Sequence, residues 1–202
     1  SSVLREDMLD MPRGQAEALV PQIGALMKDA GVSWNEIKRI GVTIGPGSFT
    51  GVRIGVAAAK AFSLVHGIPV VQITTLEAVA AQSFAAYPDV STLTVAQDAR
   101  RDQLYVQRFK RTGPDGPPQI CDLDEACAIK GPVAGTGAML LECAAAQVLD
   151  VDEQVQPATL LRLCDDKPLM GHRDVQPLYL RPPDAKLPTR TPIAALRHKL
   201  SQ

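Results

Sequence analysis

Apolar positions along this chain switch repeatedly between the helical and the extended period. In residues 15–30, Ala16, Leu19, Ile23, Leu26 and Ala30 recur at steps of three and four, with Val20 and Met27 beside them. That spacing predicts an amphipathic helix weakened by Pro21 and Gly24 and stopped by Gly31. Ser33-Trp34-Asn35-Glu36 is a capping-box pattern opening a short helical turn. Residues 40–44 (Ile-Gly-Val-Thr-Ile) read as a buried strand, and 52–65 as a helix whose one breaker is Gly55. Pro69–Ile73 is β-rich, and Thr74 with Glu77 starts a second capped helix through about Ala86. Val3–Met8 is expected as an edge strand. The order predicts an α/β fold with a mainly parallel sheet covered by helices.

A second unit is expected from Asp89, dividing the chain into an N-terminal lobe, 1–88, and a C-terminal lobe, 89–202. Thr92–Ala96 and Leu104–Lys110, joined by the charged Asp98-Ala99-Arg100-Arg101-Asp102, form a hairpin pattern. Val133–Gly137 is a strand running into a glycine turn, followed by a predicted helix over 138–149 and a short one over 157–164. From Gln176 the chain is proline-rich and is expected to run extended over the surface.

The block Gly45-Pro46-Gly47-Ser48-Phe49-Thr50-Gly51-Val52-Arg53-Ile54-Gly55 joins a predicted strand to a predicted helix N-terminus. Free backbone N–H groups and the helix dipole make such a junction a place to hold a phosphate or a partner's loop. It is not a P-loop, because Val52 and Arg53 follow Gly51 where Lys and Ser/Thr are required. Its last glycine also falls one residue too late for a dinucleotide fingerprint. A structural turn, with Ser48 and Thr50 capping helix amides, stands beside a ligand or partner loop built from Gly45, Gly47, Ser48, Thr50 and Gly51.

The helix that follows is unusually apolar. Its polar side chains are Arg53, Lys60 and Ser63. At 100° per residue Lys60 lies about 20° and Ser63 about 80° from Arg53, so one narrow stripe holds all three. The rest is Val, Ile, Ala, Phe and Leu, more than a single sheet covers. Such a helix is either buried within the monomer or completed by another chain, and its small residues favour close helix approach.

Composition narrows the classes without choosing among them. The chain has 202 residues, 46% apolar and 21% charged, with a net charge of −1. There is no global field to draw nucleic acid or an anionic membrane. Aromatics at 4% argue against a base-stacking surface. Cys121, Cys127, Cys143 and Cys164 form no C-x-x-C pair, and His66, His172 and His198 stand apart. Reduced thiols, no metal site and a cytoplasmic location are expected. No apolar run reaches the roughly 18 residues that span a bilayer. Asp98 and Asp102 are the carboxylates one could enlist for catalysis, against the plainer reading of a solvated hairpin tip.

Taken in order, the glycine block, Arg13-Gly14-Gln15-Ala16-Glu17-Ala18-Leu19, Gly67-Ile68-Pro69-Val70, Thr74-Thr75-Leu76-Glu77, Asp98–Asp102 and Pro177-Leu178-Tyr179-Leu180-Arg181-Pro182 resemble the TsaB (YeaZ) family. The resemblance spans nearly the whole chain. It implies two ribonuclease-H-like lobes of the actin/sugar-kinase/Hsp70 ATPase fold. The N-terminal strand hairpin of that fold is expected to be incomplete here, since nothing like the family's opening phosphate turn stands before Val3 in this sequence. It also implies a non-catalytic accessory subunit in threonylcarbamoyl-adenosine (t6A) modification of tRNA that docks and supports the catalytic TsaD. A homodimer in isolation, a TsaE-type ATPase in the assembled complex, indirect contact with tRNA and no membrane complete that expectation. The partner interface it implies runs over Leu19, Ile23, Met27, Val52, Ile54, Ala58 and Ala61. No cofactor is expected to bind tightly. An ATP or ADP site at a partner interface, involving the glycine loop and Asp98, is left open. A degenerate ATPase or phosphotransferase of the same fold is the rival reading, and a metalloprotease a distant third.

Overall fold

The computed structural model describes residues 3–9, 11, 14–141, 146–151 and 154–181. The proline-rich stretch beyond 181 and Cys143 lie outside them. Strand β1 (Ile40–Thr43) pairs in parallel with β2 (Val70–Ile73), in the register Ile40 to Val70 and Thr43 to Ile73. Helix α1 (Gln15–Ala30) precedes β1, α2 (Phe49–His66) crosses between the two strands, and α3 (Thr75–Ala86) leaves β2. The sequence signals act locally as expected. Gly31 ends α1 at φ 65°, and Thr74 and Glu77 close a capping box at the start of α3.

The second sheet is built on the hairpin of β3 (Thr92–Arg100) and β4 (Gln103–Lys110). The free side of β4 carries the short β5 (Gly113–Pro114) and then β6 (Gln119–Asp122). Beyond β3 lie β7 (Gly131–Ala134) and β8 (Ala146–Val148), both parallel. Helices α4 (Leu123–Ala126) and α5 (Pro157–Leu163) complete the elements. The second sheet is mixed, as the expected hairpin requires, since a two-residue turn at 101–102 can join only antiparallel strands, while the β1–β2 pair is parallel as the order of the first unit predicts.

The core lies in layers. Helix α2 covers one face of the β1–β2 pair through Val42, Val56, Ala59, Val70 and Val175. On the other face Val71, Ile73, Ala78 and Cys164 bring in α3 and α5. The opposite side of α3 (Leu76, Val79, Ala80) packs on Leu93, Val95 and Phe109 of the large sheet. Ala96, Leu104, Ala126, Val133 and Ala138 fill that sheet's far face. Alternation along β3 and β4 sends neighbouring residues to opposite clusters, as the two-residue period requires.

Three expectations fail. Val3–Met8 is not a strand; the segment is exposed and unpaired with either sheet. Among the described residues of the helix expected over 138–149, Ala138–Leu140 is a 3-10 turn and Ala146–Val148 is β8; residues 142–145 lie outside the described residues. Periodicity cannot separate a short buried strand from a helix, and parallel pairing with β7 decided it. Cys127 is disulfide-bonded rather than reduced, while Cys121 and Cys164 are free. Burial pushes both free thiols above their ordinary range.

Candidate partner-docking site

The glycine block sits at the carboxyl end of β1, where ligand and partner sites of parallel sheets gather. Gly45 turns at φ 102°, a conformation that favours glycine, ahead of a cis bond to Pro46. Its carbonyl accepts from Thr75 N at 2.8 Å, tying the turn to the start of α3. Ser48 is the N-cap of α2, its Oγ accepting from Gly51 N at 3.0 Å. Thr50, expected as a second cap, makes no such bond and is exposed. Gly47 is exposed-side packing for Val52, which lies 3.7 Å from where a Cβ would stand.

Residues 175–181, expected to run over the surface, are bonded to both sheets. Val175 is buried, and its carbonyl accepts from Lys60 Nζ at 3.2 Å. Gln176 N donates to Gln72 Oε1, and Leu178 N donates to Ile44 O at 2.8 Å beside the glycine turn. Arg53 Nε donates to Tyr179 Oη at 2.9 Å. Arg181 reaches Gln103 Oε1 and Arg100 O at the tip of the β3–β4 hairpin. The segment thus straps the small sheet to the large one. The stripe of Arg53, Lys60 and Ser63 finds its meaning here: Ser63 is buried, and the two cations bond the strap.

With that stripe occupied, the solvent-facing side of α2 is almost entirely apolar. Only Val56, Ala59 and Ser63 are buried in it. Ala57 and Ala61 are exposed, and Leu64 and Val65 are 64% and 73% exposed. Val52, Ile54 and Ala58 are half-buried. Helix α1 lies against α2 and contributes no fully buried residue; Leu19, Ile23 and Met27 are all half-buried. Leu19, Ile23, Met27, Ile54, Ala58 and Ala61 therefore belong to one two-helix layer, whereas Val52 packs beneath α2 with Ile40, Ile44 and Met170 against the small-sheet core, which corrects its place among the expected interface residues. At the far end of α2, Trp34 stacks on Phe62 and His66, with ring centroids 4.5 Å apart in each pair.

Asp98 is spent on its own hairpin. Its Oδ1 accepts from Arg100 N at 2.7 Å, and its Oδ2 pairs with the Arg100 guanidinium at 3.1 Å. Arg100, Arg101 and Asp102 are all left-handed, with φ near 60°, so the carboxylate holds a strained tip together. No group of three metal-ligating side chains occurs among the described residues. No helix among them is long and apolar enough to cross a membrane.

Sequence reasoning missed the cluster formed by Phe49, Arg53 and Tyr179. The Arg53 guanidinium carbon stands 3.5 Å from the centre of the Phe49 ring and 5.6 Å from that of Tyr179. Phe49 and Arg53, four residues apart on one helix, could have signalled half of it. Tyr179 arrives from 126 residues away.

Residues 11–145 match the family model for TsaD, tRNA N6-adenosine threonylcarbamoyltransferase. The chain belongs to the TsaD family. An uncharacterized protein of Mycobacterium tuberculosis is 32% identical over 192 residues, covering 91% of this chain and 83% of that protein. The Escherichia coli tRNA threonylcarbamoyladenosine biosynthesis protein TsaB is 30% identical over 100 residues, 50% of this chain and 43% of TsaB. Among solved structures, a Pseudomonas aeruginosa protein described as similar to peptidase YeaZ superposes with a TM-score of 0.74 at 24% identity, covering 85% of this chain and 86% of its own. These comparisons bear out the resemblance to TsaB (YeaZ) and the α/β fold.

Proposed function

We propose that this chain is a non-catalytic accessory subunit in t6A modification of tRNA, docking through α1 and α2 onto a TsaD-type threonylcarbamoyltransferase. The observation that carries the reading is the two-helix surface, whose apolar residues no other part of the described chain covers. Surfaces of that kind mark sites of association. Its relatives supply the reaction: the E. coli TsaB is named for threonylcarbamoyladenosine biosynthesis, and the matching family model is that of the transferase. A supporting role fits a chain in which, of the two candidate carboxylates, Asp98 is engaged by its own turn and Asp102 sits exposed at the hairpin tip. In this reading the lobe of residues 1–88 carries the docking helices, and the lobe of 89–202 braces them by packing on α3 and through the strap. A homodimer through the same surface would compete with the transferase. A TsaE-type ATPase, and any ATP or ADP, would join only at the assembled interface.

The test is co-purification with the threonylcarbamoyltransferase of the same organism, followed by a tRNA modification assay with and without this chain. Ala61→Glu places a charge on the exposed face and leaves the fold intact. A charge buried unpaired in an interface costs several kcal/mol, so association and modification should both fall. Intact binding by Ala61→Glu would remove α2 from the interface. Full modification without the chain would remove the accessory role.

A further inference from the structure

The apolar face of α2 ends in a charged feature that a greasy contact alone does not use. Arg53 is exposed and continues the stripe of Ala57 and Ala61 at helical spacing. Its guanidinium is held between Phe49, 57% exposed, and Tyr179, 54% exposed, with Nε fixed on the Tyr179 hydroxyl. Other arginines fold back on carboxylates or carbonyls. Arg39 meets Asp165, Arg100 meets Asp98, Arg108 meets Asp115, and Arg111 meets the carbonyls of Phe84, Tyr87 and Pro88. Among the described residues Arg53 has no anionic partner, and its one polar partner is a phenol.

A guanidinium stacked on aromatic rings has already lost much of its rotational freedom, and its two terminal nitrogens keep four N–H donors in a planar fork. That fork matches a carboxylate or a phosphate. The surroundings choose between them. A nucleic-acid contact needs several cations to neutralise successive phosphates. Here the groups touching Arg53 are the rings of Phe49 and Tyr179, while the nearby cations are engaged, Lys60 by the Val175 carbonyl and Arg181 by Gln103, and the whole chain carries a net charge of −1. Arginine framed by aromatic residues at the edge of an apolar patch is the make-up of an interface hot spot.

We propose that Arg53, positioned by Phe49 and Tyr179, is the charged anchor of the docking face and receives an Asp or Glu side chain of the partner transferase. This rests on the docking role assigned above. It adds a specific partner chemistry to it and makes Tyr179 of the strap a positioning residue for the contact.

The experiment is calorimetric titration of the full chain into the threonylcarbamoyltransferase of the same organism at two salt concentrations, with Arg53→Met, Arg53→Lys, Tyr179→Phe and Ala61→Glu. Losing one partner of a desolvated charge pair should weaken binding by about 30-fold or more in Arg53→Met and flatten its salt dependence. Arg53→Lys should recover only part of the affinity, because an ammonium has neither the fork nor the planar face. Tyr179→Phe, which keeps the ring and drops the hydroxyl, should weaken binding by about 3-fold to 5-fold. Arg53→Met within twofold of the wild type, while Ala61→Glu abolishes binding, overturns the anchor and leaves the docking role standing. Failure of the wild-type chain to bind removes both. A parallel titration with tRNA decides the ligand class: if Arg53→Met weakens tRNA binding and spares the transferase, the carboxylate assignment is wrong. Arg53 is exposed, so thermal melts of the variants should match the wild type; Arg53→Gln serves as a second truncation.

Discussion

The large sheet and the small one are completed to different degrees. On the large sheet, both faces are covered and the middle strand β3 is paired on each side. Its central residues Val95, Leu104 and Val133 have no solvent exposure at all. The small sheet has two strands. Ile40 N donates to Pro69 O and Ile44 N to Ile73 O, so the alternating residues Gly41 and Thr43 direct their backbone groups away from β2. Among the described residues nothing pairs with that edge. Parallel strands are ordinarily buried on both faces and rarely stand in pairs. Helix α1 packs chiefly against α2 and holds no fully buried residue. The contrast teaches that the chain's stability resides in the large sheet and in α3, which both sheets share. Its unspent hydrophobic surface resides in α1 and α2. One region is a foundation and the other a contact surface awaiting cover.

This contrast can be broken by measurement. The largest effect is expected at Leu104. Leu104→Ala should cost about 2–5 kcal/mol in denaturant unfolding, the range for emptying a sealed aliphatic site. A loss under 1 kcal/mol would mean the large sheet is not the stabilising core. Next comes Gly135, which turns at φ 105° where β7 ends. A Cβ there would stand 2.5 Å from Ala96 O, so Gly135→Ala should destabilise by about 1–3 kcal/mol. A neutral result would show the turn to be free to relax. The smallest loss is expected at Ile23, half-buried in α1. Ile23→Ala should cost less than about 1 kcal/mol in the isolated monomer and yet weaken transferase binding. Native-state hydrogen exchange sharpens the same point. The Leu104 amide should open only with global unfolding, whereas those of Gly41 and Thr43 should exchange through small local openings. Strong protection at Gly41 would mean that the edge of β1 is already paired.

Local order was legible wherever it depends on neighbours in the chain. The capping box at Thr74 and Glu77, the stop at Gly31, the N-cap at Ser48 and the 3.6-residue stripes of α1 and α2 all follow from backbone groups and side chains within one turn of each other. The hairpin at 98–102 was equally clear, though its three left-handed residues were not, because neither Arg100 nor Arg101 announces that conformation. The candidate surface was half legible. Periodicity marked α2 as too apolar for one sheet, but not which side faced water. It also read Arg53, Lys60 and Ser63 as a polar stripe without knowing what lay over it.

Sequence by itself determined the family, most of the elements, the glycine turn and the excess of apolar surface on α2. Each of these is written in residue identities at short, fixed spacings. Tertiary structure alone decided that 146–148 is a strand, since a three-residue segment takes its state from the neighbour it pairs with. It alone laid residues 175–181 across the glycine turn, set Tyr179 against Arg53 and spent Asp98 on its own hairpin. Those contacts join groups distant in sequence, or depend on a strained turn, and no local pattern encodes them.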